Sequence, residues 1–190
     1  DAGPLTKKRM ETCDDEFADR SVDFLKRQHA AGKPVFLWVN FTHMHFRTHT
    51  KPESIGQSGR LQSPYHDTMI DHDKNVGEVL KAIDDLGMAD DTIVMYSTDN
   101  GPHMNSWPDA AMTPFRSEKN SNWEGAYRVP AMVRWPGHIK AGTVNNDIIS
   151  HLDWMPTLLA AAGVPDAKEQ LLKGMKVGDT TFKVHLDGYN

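Results

Sequence analysis

The clearest structural signal in the sequence is Thr92-Ile93-Val94-Met95-Tyr96-Ser97-Thr98-Asp99-Asn100-Gly101, an apolar run that ends in a polar turn. The β-branched and aromatic side chains of residues 92–97 predict a strand covered on both faces. Asp-Asn-Gly is a favourable turn sequence, so residues 99–101 can be interpreted as a simple turn. Asp99 and Asn100 also offer the oxygen ligands that Ca²⁺ and Mg²⁺ prefer. On this stretch alone, the turn is the stronger interpretation.

The segments on either side predict alternating helices and strands. Periodic apolar positions and end signals predict helices at residues 11–31, 65–86 and 151–162. Strands are predicted at residues 35–41, 92–97 and 129–135, and shorter ones at 143–149 and 181–186. This order indicates an α/β fold in which a mostly parallel sheet is flanked by helices.

Two irregular segments, residues 42–64 and 101–127, follow predicted strands. Ligands gather beyond the carboxyl ends of the strands in open α/β sheets, so these segments are expected to share one site. The first contains three histidines, which could form a zinc site, could bind an anion and donate a proton, or could be ordinary loop residues. These histidines are His43, His45 and His49.

The overall composition limits the classes of partner. The 190 residues include 26 acidic and 21 basic side chains, a formal net charge of -5, and no basic stripe that would indicate a nucleic-acid partner. No apolar run is long enough to cross a membrane. The single cysteine, Cys13, is compatible with a cytoplasmic or a periplasmic protein, so no compartment is predicted. Because the sequence begins at Asp1 without an initiator methionine, we expect a segment of a longer protein.

Four other charged or reactive residues could be interpreted as parts of a site. Lys119 could hold a tetrahedral anion, although an exposed surface lysine is the commoner case. Cys13 lies in the first turn of an acidic helix, where carboxylates disfavour the thiolate, so it is not predicted to be a nucleophile. Asp14 and Asp15 are interpreted as charges that stabilise the N-terminus of that helix rather than as metal ligands.

An ordered series of motifs closely resembles the arylsulfatase family. Its members are Tyr65-His66-Asp67-Thr68-Met69-Ile70-Asp71-His72-Asp73, Val76-Gly77, the stretch from Thr92 to Gly101, Lys119-x-x-x-Trp123-Glu124-Gly125-x-x-Arg128-Val129-Pro130, and Asp153-x-x-Pro156-Thr157-Leu158-Leu159. The series spans roughly residues 11–165 and is more specific than any single motif. The resemblance therefore favours functional roles for Asp99, Asn100 and Lys119.

The resemblance implies an alkaline-phosphatase-like α/β fold and hydrolysis of a small sulfate ester, such as an aryl sulfate, or of a sulfated sugar. It also implies one divalent cation, Ca²⁺ in most members, with Mg²⁺ or another divalent ion as alternatives. By position, Asp99 and Asn100 would be metal ligands, and Lys119 and His45 would contact the sulfate. His45 would also protonate the leaving group, and His103 is a substrate contact suggested only by its proximity to Gly101.

The sequence also departs from the family pattern. The family's nucleophile is a formylglycine made from the cysteine of Cys-x-Pro/Ala-x-Arg, and Cys13 is followed by Asp-Asp-Glu-Phe instead. Arg47 stands where the family has a proline after the histidine. Residues 1–190 are therefore expected to be an incomplete fold, the middle-to-late part of a sulfatase catalytic domain, with residues 166–190 starting a C-terminal region. Without the formylglycine segment the chain should be inactive, and its uncovered sheet edges should favour self-association.

Two alternatives remain at this point. One is a phosphatase or phosphonate monoester hydrolase of the same superfamily, although two-metal phosphatases have Asp-His where this chain has Asp99-Asn100. The other is a non-catalytic binding module that keeps the fold, an alternative that the missing nucleophile favours.

Overall fold

The computed structural model describes residues 3–190 and separates them into two compact units. The first unit ends at Ala141, and the second runs from Gly142 to Asn190. None of the helices in the described residues combines the length and apolar character needed to span a membrane.

The first unit contains four helices and one pair of strands: α1 (Lys7–Met10), α2 (Cys13–Ala30), α3 (Pro64–Asp85), β1 (Val94–Ser97), α4 (Glu124–Tyr127) and β2 (Ala131–Arg134). Single 3₁₀ turns occupy Pro52–Ser54 and Ala89–Asp91. The two long helices confirm the predictions for residues 11–31 and 65–86. Helix α3 begins where the Ser63 hydroxyl accepts the Tyr65 N–H and Pro64 takes the first helical position.

The core of this unit forms where α2 packs against α3, around Leu25, Ala82 and Ile83. The predicted strand at residues 35–41 lies against this core but has no regular strand pairing in the described residues, so that prediction is wrong as it stands. Alternate side chains such as Val35 and Leu37 face the core. Phe36 and Trp38, in contrast, are 72% and 76% exposed. Helices α2 and α3 cover one face of this segment. The sequence predicted that both faces would be covered, but nothing within residues 3–190 covers the second face.

The strand pair β1–β2 is antiparallel, with Val94 opposite Arg134 and Ser97 opposite Ala131. It confirms the positions of the predicted strands at 92–97 and 129–135 in shortened form. The mostly parallel sheet is not confirmed, because both strand pairs in the described residues are antiparallel. The rule that favoured parallel strands applies to strands joined by a helical crossover. Here the connection from β1 to β2 is mostly irregular and contains only the single-turn helix α4.

The second unit contains α5 (Trp154–Ala161), preceded by a 3₁₀ turn at His151–Asp153, then α6 (Ala167–Lys173) and a hairpin of β3 (Met175–Val177) and β4 (Thr180–Phe182). Helix α5 confirms the prediction for residues 151–162. The predicted strand at 143–149 is wrong, because this segment has no regular structure. The predicted strand at 181–186 is reduced to β4, and its partner β3 was not predicted. The expectation that residues 166–190 form the start of a C-terminal region is still a prediction.

Candidate functional site

The structure brings three of the predicted site residues, Asp99, His103 and Lys119, close enough for their charges to act on a fourth, His45. The pKa of His45 is lowered from 6.5, first by partial burial of its ring and then by the positive charge of Lys119. The Asp99 carboxylate raises the pKa of His45, and His103 lowers this pKa by a smaller amount. Because electrostatic effects of this kind weaken with distance and screening, the four side chains share one site.

Two loop segments meet at this site. The indole N–H of Trp107 donates a hydrogen bond of 2.9 Å to the carbonyl oxygen of Phe46. The ring of Phe46 also lies edge-on to His103, with 5.9 Å between the ring centroids. The residues after position 41 and those after Gly101, which the sequence predicted to share a site, are therefore in direct contact.

The turn that carries Asp99 and Asn100 follows β1 directly and is held by main-chain contacts. The Gly101 N–H donates a hydrogen bond of 2.7 Å to the carbonyl oxygen of Ala126. A Cβ atom on Gly101 would lie 1.9 Å from the carbonyl oxygen of Gly125, a distance that no side chain tolerates. Asp99 is exposed and Asn100 half-buried, so their oxygen atoms remain accessible to a ligand. The close approach of the two main chains therefore requires a glycine after the Asp-Asn pair.

Lys119 comes from a tight loop that crosses the same turn. Its main-chain N–H donates a hydrogen bond of 2.9 Å to the carbonyl oxygen of Pro102. Two neighbouring residues, Ser117 and Asn120, have positive φ angles of 66° and 71°. Non-glycine residues adopt this conformation rarely, and such strain is concentrated at functional sites. The backbone of the loop thus fixes Lys119 near the residues that follow β1.

Aromatic side chains stabilise the segment that carries Lys119. The guanidinium carbon of Arg116 lies 3.6 Å from the centroid of the Trp123 ring, and that of Arg128 lies 4.2 Å from the Phe115 ring. Arg128 also forms an ion pair of 3.0 Å with Glu124. Each contact at an exposed site contributes modestly, about 0.5–1 kcal/mol. Together they hold the Trp-Glu-Gly part of the motif in one conformation.

The three loop histidines have separate environments. His43 is buried, with its Nδ1 atom 3.3 Å from Oδ2 of Asp14, whereas His45 is exposed at the site. Among residues 3–190, no three His, Cys, Asp or Glu side chains are placed to hold a metal ion, which contradicts a zinc site built from His43, His45 and His49. Asp99 and Asn100 have the oxygen chemistry of a hard-cation site. As two residues, they supply only part of a ligand set.

The contacts that hold residues 42–63 in place were not predicted from the sequence. Asp14 and Asp15, interpreted as helix charges, also bind this segment: Asp14 accepts main-chain N–H groups, and Asp15 pairs with Lys51 at 2.9 Å. From α3, Asp67 accepts the N–H groups of Gly56 and Ser58 at 2.8 Å. An irregular segment needs partners for its main-chain N–H groups, and the carboxylates at the helix N-termini supply them. Only that general requirement was visible in the sequence.

Comparisons with known proteins agree with these observations. The sequence model of the family described as Sulfatase matches residues 2–164. The chain is 30% identical over 172 residues to rat (Rattus norvegicus) N-acetylgalactosamine-6-sulfatase, covering 90% of this chain and 32% of that protein. It is 33% identical over 180 residues to mouse (Mus musculus) steryl-sulfatase, covering 92% of this chain and 27% of that protein.

A solved structure shares the fold. The sulfatase PsFucS1 from Pseudoalteromonas sp. superimposes with a TM-score of 0.80 and 32% identity, covering 87% of this chain and 33% of that one. This match confirms the expected α/β fold of the alkaline-phosphatase type at the level of the family. The chain spans about a third of the length of the proteins it matches.

Proposed function

This chain belongs to the sulfatase family, and we propose that it supplies the cation and sulfate contacts of an enzyme that hydrolyses sulfate esters. The observation that carries the proposal is the direct contact between the loop after position 41 and the segment after Gly101, which brings the charges of Lys119 and Asp99 close enough to act on His45. A cationic side chain and an acidic metal ligand beside one histidine suit an anionic ester that binds together with a metal ion. The substrate class that we propose is a small sulfate ester, such as an aryl sulfate, or a sulfated sugar.

In this proposal Asp99 and Asn100 hold a divalent cation, Ca²⁺ in preference to Mg²⁺. When it is bound, the cation offsets the negative charge of the sulfate group. Asp99 and Asn100 provide one carboxylate and one amide oxygen, the hard ligands that such an ion requires. The choice of Asn at position 100 favours this site over the zinc site of a phosphatase, because an amide is a poor zinc ligand and imidazole a good one.

Lys119 and His45 act on the ester itself. The Lys119 ammonium binds a sulfate oxygen, and His45 donates a proton to the departing oxygen. With the pKa of His45 lowered, its ring is mostly neutral at pH 7 in the free protein. A bound sulfate ester places negative charge beside the ring and raises this pKa, so His45 acquires its proton as the substrate binds. His103, whose charge also acts on His45, is proposed as a further contact with the same substrate.

The nucleophile is not assigned to this chain. Cys13 is buried, and burial is the main cause that raises the pKa of its thiol. A buried thiol next to Asp14 is a poor nucleophile. We propose that the nucleophile would be a hydroxyl group of a hydrated formylglycine outside these 190 residues, and that this chain alone does not turn over substrate.

The direct test is hydrolysis of 4-nitrophenyl sulfate and 4-nitrophenyl phosphate by the longest natural protein that contains this chain. We expect Ca²⁺-dependent cleavage of the sulfate that is lost with a chelator and reduced by about 10²-fold or more in Lys119→Met. Lys33→Met, an exposed lysine at the end of α2, is the matched control. Cleavage of the phosphate alone would support the phosphatase alternative, and sulfate binding without turnover would support a binding module.

A further inference from the structure

We propose that Asp14, in the first turn of α2, is a positioning residue that sets the orientation of the His45 imidazole. The inference rests on the role of His45 in the proposed function. Asp14 does not reach the site itself: it acts through the main chain of Thr42 and His43, which lie between the two. Asp14 was interpreted from the sequence only as a charge at the helix N-terminus, and its contacts show a more specific task.

Asp14 is 1% exposed, and its carboxylate is surrounded by donors. The N–H of Thr42 donates to both oxygens, at 2.9 and 3.0 Å, and the N–H of His43 donates to Oδ2 at 2.9 Å. The Cys13 thiol lies 3.6 Å from Oδ1. Two successive N–H groups that converge on one carboxylate fix the direction of the main chain at that point, since both bonds depend on geometry.

Thr42 transmits this constraint to His45. While its N–H binds Asp14, its carbonyl oxygen accepts the N–H of His45 at 3.0 Å. On the other side of His45, the hydroxyl of the buried Thr48 donates to the His45 carbonyl oxygen at 2.7 Å. The main chain of His45 is therefore held at both its N–H and its C=O group, and Asp14 anchors the first of these bonds.

The ring of His45 has a preferred tautomer in this arrangement. The Arg47 N–H donates to Nδ1 across 3.5 Å, a long hydrogen bond that leaves the ring proton on Nε2. The tautomer with a proton on Nε2 presents an N–H donor to a bound anion. A tilt of the main chain at residues 42–45 would break this alignment and move the ring relative to Lys119. The tautomer is thus a direct readout of the constraint that Asp14 imposes.

Asp15 provides a matched comparison one residue away. It lies in the same helix turn and carries the same charge, but its contacts are side chains, Lys51 at 2.9 Å and Asn75 at 3.2 Å. The contact with Lys51 attaches a later part of the loop, and the contact with Asn75 joins α2 to α3. Neither contact includes Thr42, His43 or His45. A general effect of charge or of loop stability would appear in variants of both residues, whereas a positioning effect belongs to Asp14.

The experiment uses the longest natural protein that contains this chain, labelled with ¹⁵N-histidine, and compares the wild type with Asp14→Asn and Asp15→Asn. Long-range ¹H–¹⁵N spectra report the tautomer of His45, and a titration with inorganic sulfate reports anion binding at the same ring. Asn cannot accept both N–H groups without turning its own NH₂ toward one of them. For folded Asp14→Asn we expect a mixed His45 tautomer and sulfate affinity about tenfold weaker. For Asp15→Asn we expect the wild-type tautomer and affinity.

An unchanged His45 tautomer in folded Asp14→Asn would overturn the proposal, even if the variant were less stable. If Asp14→Asn does not fold, Asp14→Glu takes its place, since it keeps the charge and shifts the carboxylate by one methylene. Here too a wild-type His45 spectrum would overturn the proposal. A wild-type His45 that ignores sulfate would count against the proposed function alone, because the tautomer comparison does not depend on sulfate.

Discussion

Asn100 is the residue at which the metal preference of the proposed site can be changed most directly. Asn100→His places an imidazole where the chain has an amide oxygen, and imidazole is a softer ligand than Ca²⁺ prefers. In the longest natural protein that contains this chain, we predict that the Ca²⁺ concentration for half-maximal sulfate hydrolysis rises about tenfold or more. Asn105→His, an exposed position in the same segment, should leave it unchanged. An equal effect of both substitutions would remove Asn100 from the metal site.

At the scale of single residues, the motifs predicted which side chains lie near one another, while the roles of those side chains stay predictions. Asp99, Asn100, Lys119 and His45 were proposed from their place in an ordered series, and in the structure the charges of Asp99 and Lys119 act on His45. The role of Asp14 could not be predicted, because its partners are main-chain groups 28 and 29 residues away. Every residue except proline has a main-chain N–H group, so the sequence does not show which of these groups a carboxylate will bind.

The turn between β1 and the Lys119 loop gives a prediction at the scale of elements. Gly101→Ala would place a Cβ 1.9 Å from the Gly125 carbonyl oxygen, so the two segments must separate. We predict a loss of about 3 kcal/mol in the free energy of unfolding, measured by urea denaturation.

The matched control is Gly77→Ala, in the exposed middle of α3, where a Cβ meets nothing within 4 Å. Alanine has the higher helix propensity, so this variant should gain about 0.5–1 kcal/mol. Equal stability of the two variants would contradict the close approach at Gly101.

The attachment of the loop to α3 predicts a pH dependence. Burial works to raise the pKa of Asp67, but hydrogen bonds from Ser58 and Gly56 outweigh it, and the pKa is lowered overall. A lowered pKa in the folded state stabilises the protein above the unfolded value of about 3.9, and this contribution disappears as the pH falls through the folded value. We predict that Asp67→Asn lowers the free energy of unfolding by about 2 kcal/mol at pH 7.

The same variant should show less loss of stability than the wild type between pH 4 and more acidic conditions, by urea denaturation at each pH. Asp85→Asn, at the exposed end of α3, removes a surface ion pair with Lys81 and should change stability by less than about 0.5 kcal/mol. A parallel acid profile for wild type and Asp67→Asn would show that the carboxylate does not hold the loop.

Helices and strands could be predicted where apolar residues recur at regular spacing on one face. They were harder to predict where the apolar residues form a continuous run. Helix α3 was found from its apolar positions and from Gly87 after its end, whereas its first cap, Ser63, was seen only in the structure. The run at residues 35–41 was taken as a paired strand, because a continuous apolar sequence does not tell which neighbours cover it. Parallel strands were predicted from the alternation of helices and strands along the chain. The β1–β2 pair is antiparallel, and the long irregular segment that connects the two strands could not be taken into account by that alternation.

For the whole molecule, the exposed apolar side chains on residues 35–41 predict self-association. Phe36 and Trp38 present adjacent, largely exposed rings on one side of an unpaired segment. We predict that the mass of the 190-residue chain by light scattering rises with concentration, and that a Phe36→Ser, Trp38→Ser double variant shifts this rise to about tenfold higher concentration. Ile148→Ser, which removes a single exposed side chain in the second unit, should not. A wild-type mass independent of concentration would contradict the prediction.

The family could be read at the scale of the whole molecule because its motifs keep their order along the chain. The boundary between the two compact units, after Ala141, could not be predicted in this way, because no change of composition marks it. Compact units are defined by contacts between distant residues, and a linear pattern reports such contacts only indirectly.

The frame around the proposed anion site is built from main-chain bonds: Gly101 to Ala126, Lys119 to Pro102, and Gly125 to Arg116. Exposed neighbours such as Met104 and Met112 contribute no side chain to these bonds. Substitutions at such positions can therefore change the surface beside the proposed site without breaking the bonds that hold it. In an enzyme of the kind proposed, such changes would alter the choice of leaving group while the proposed sulfate contacts stay in place, so that related proteins would diversify without evolving the chemistry a second time.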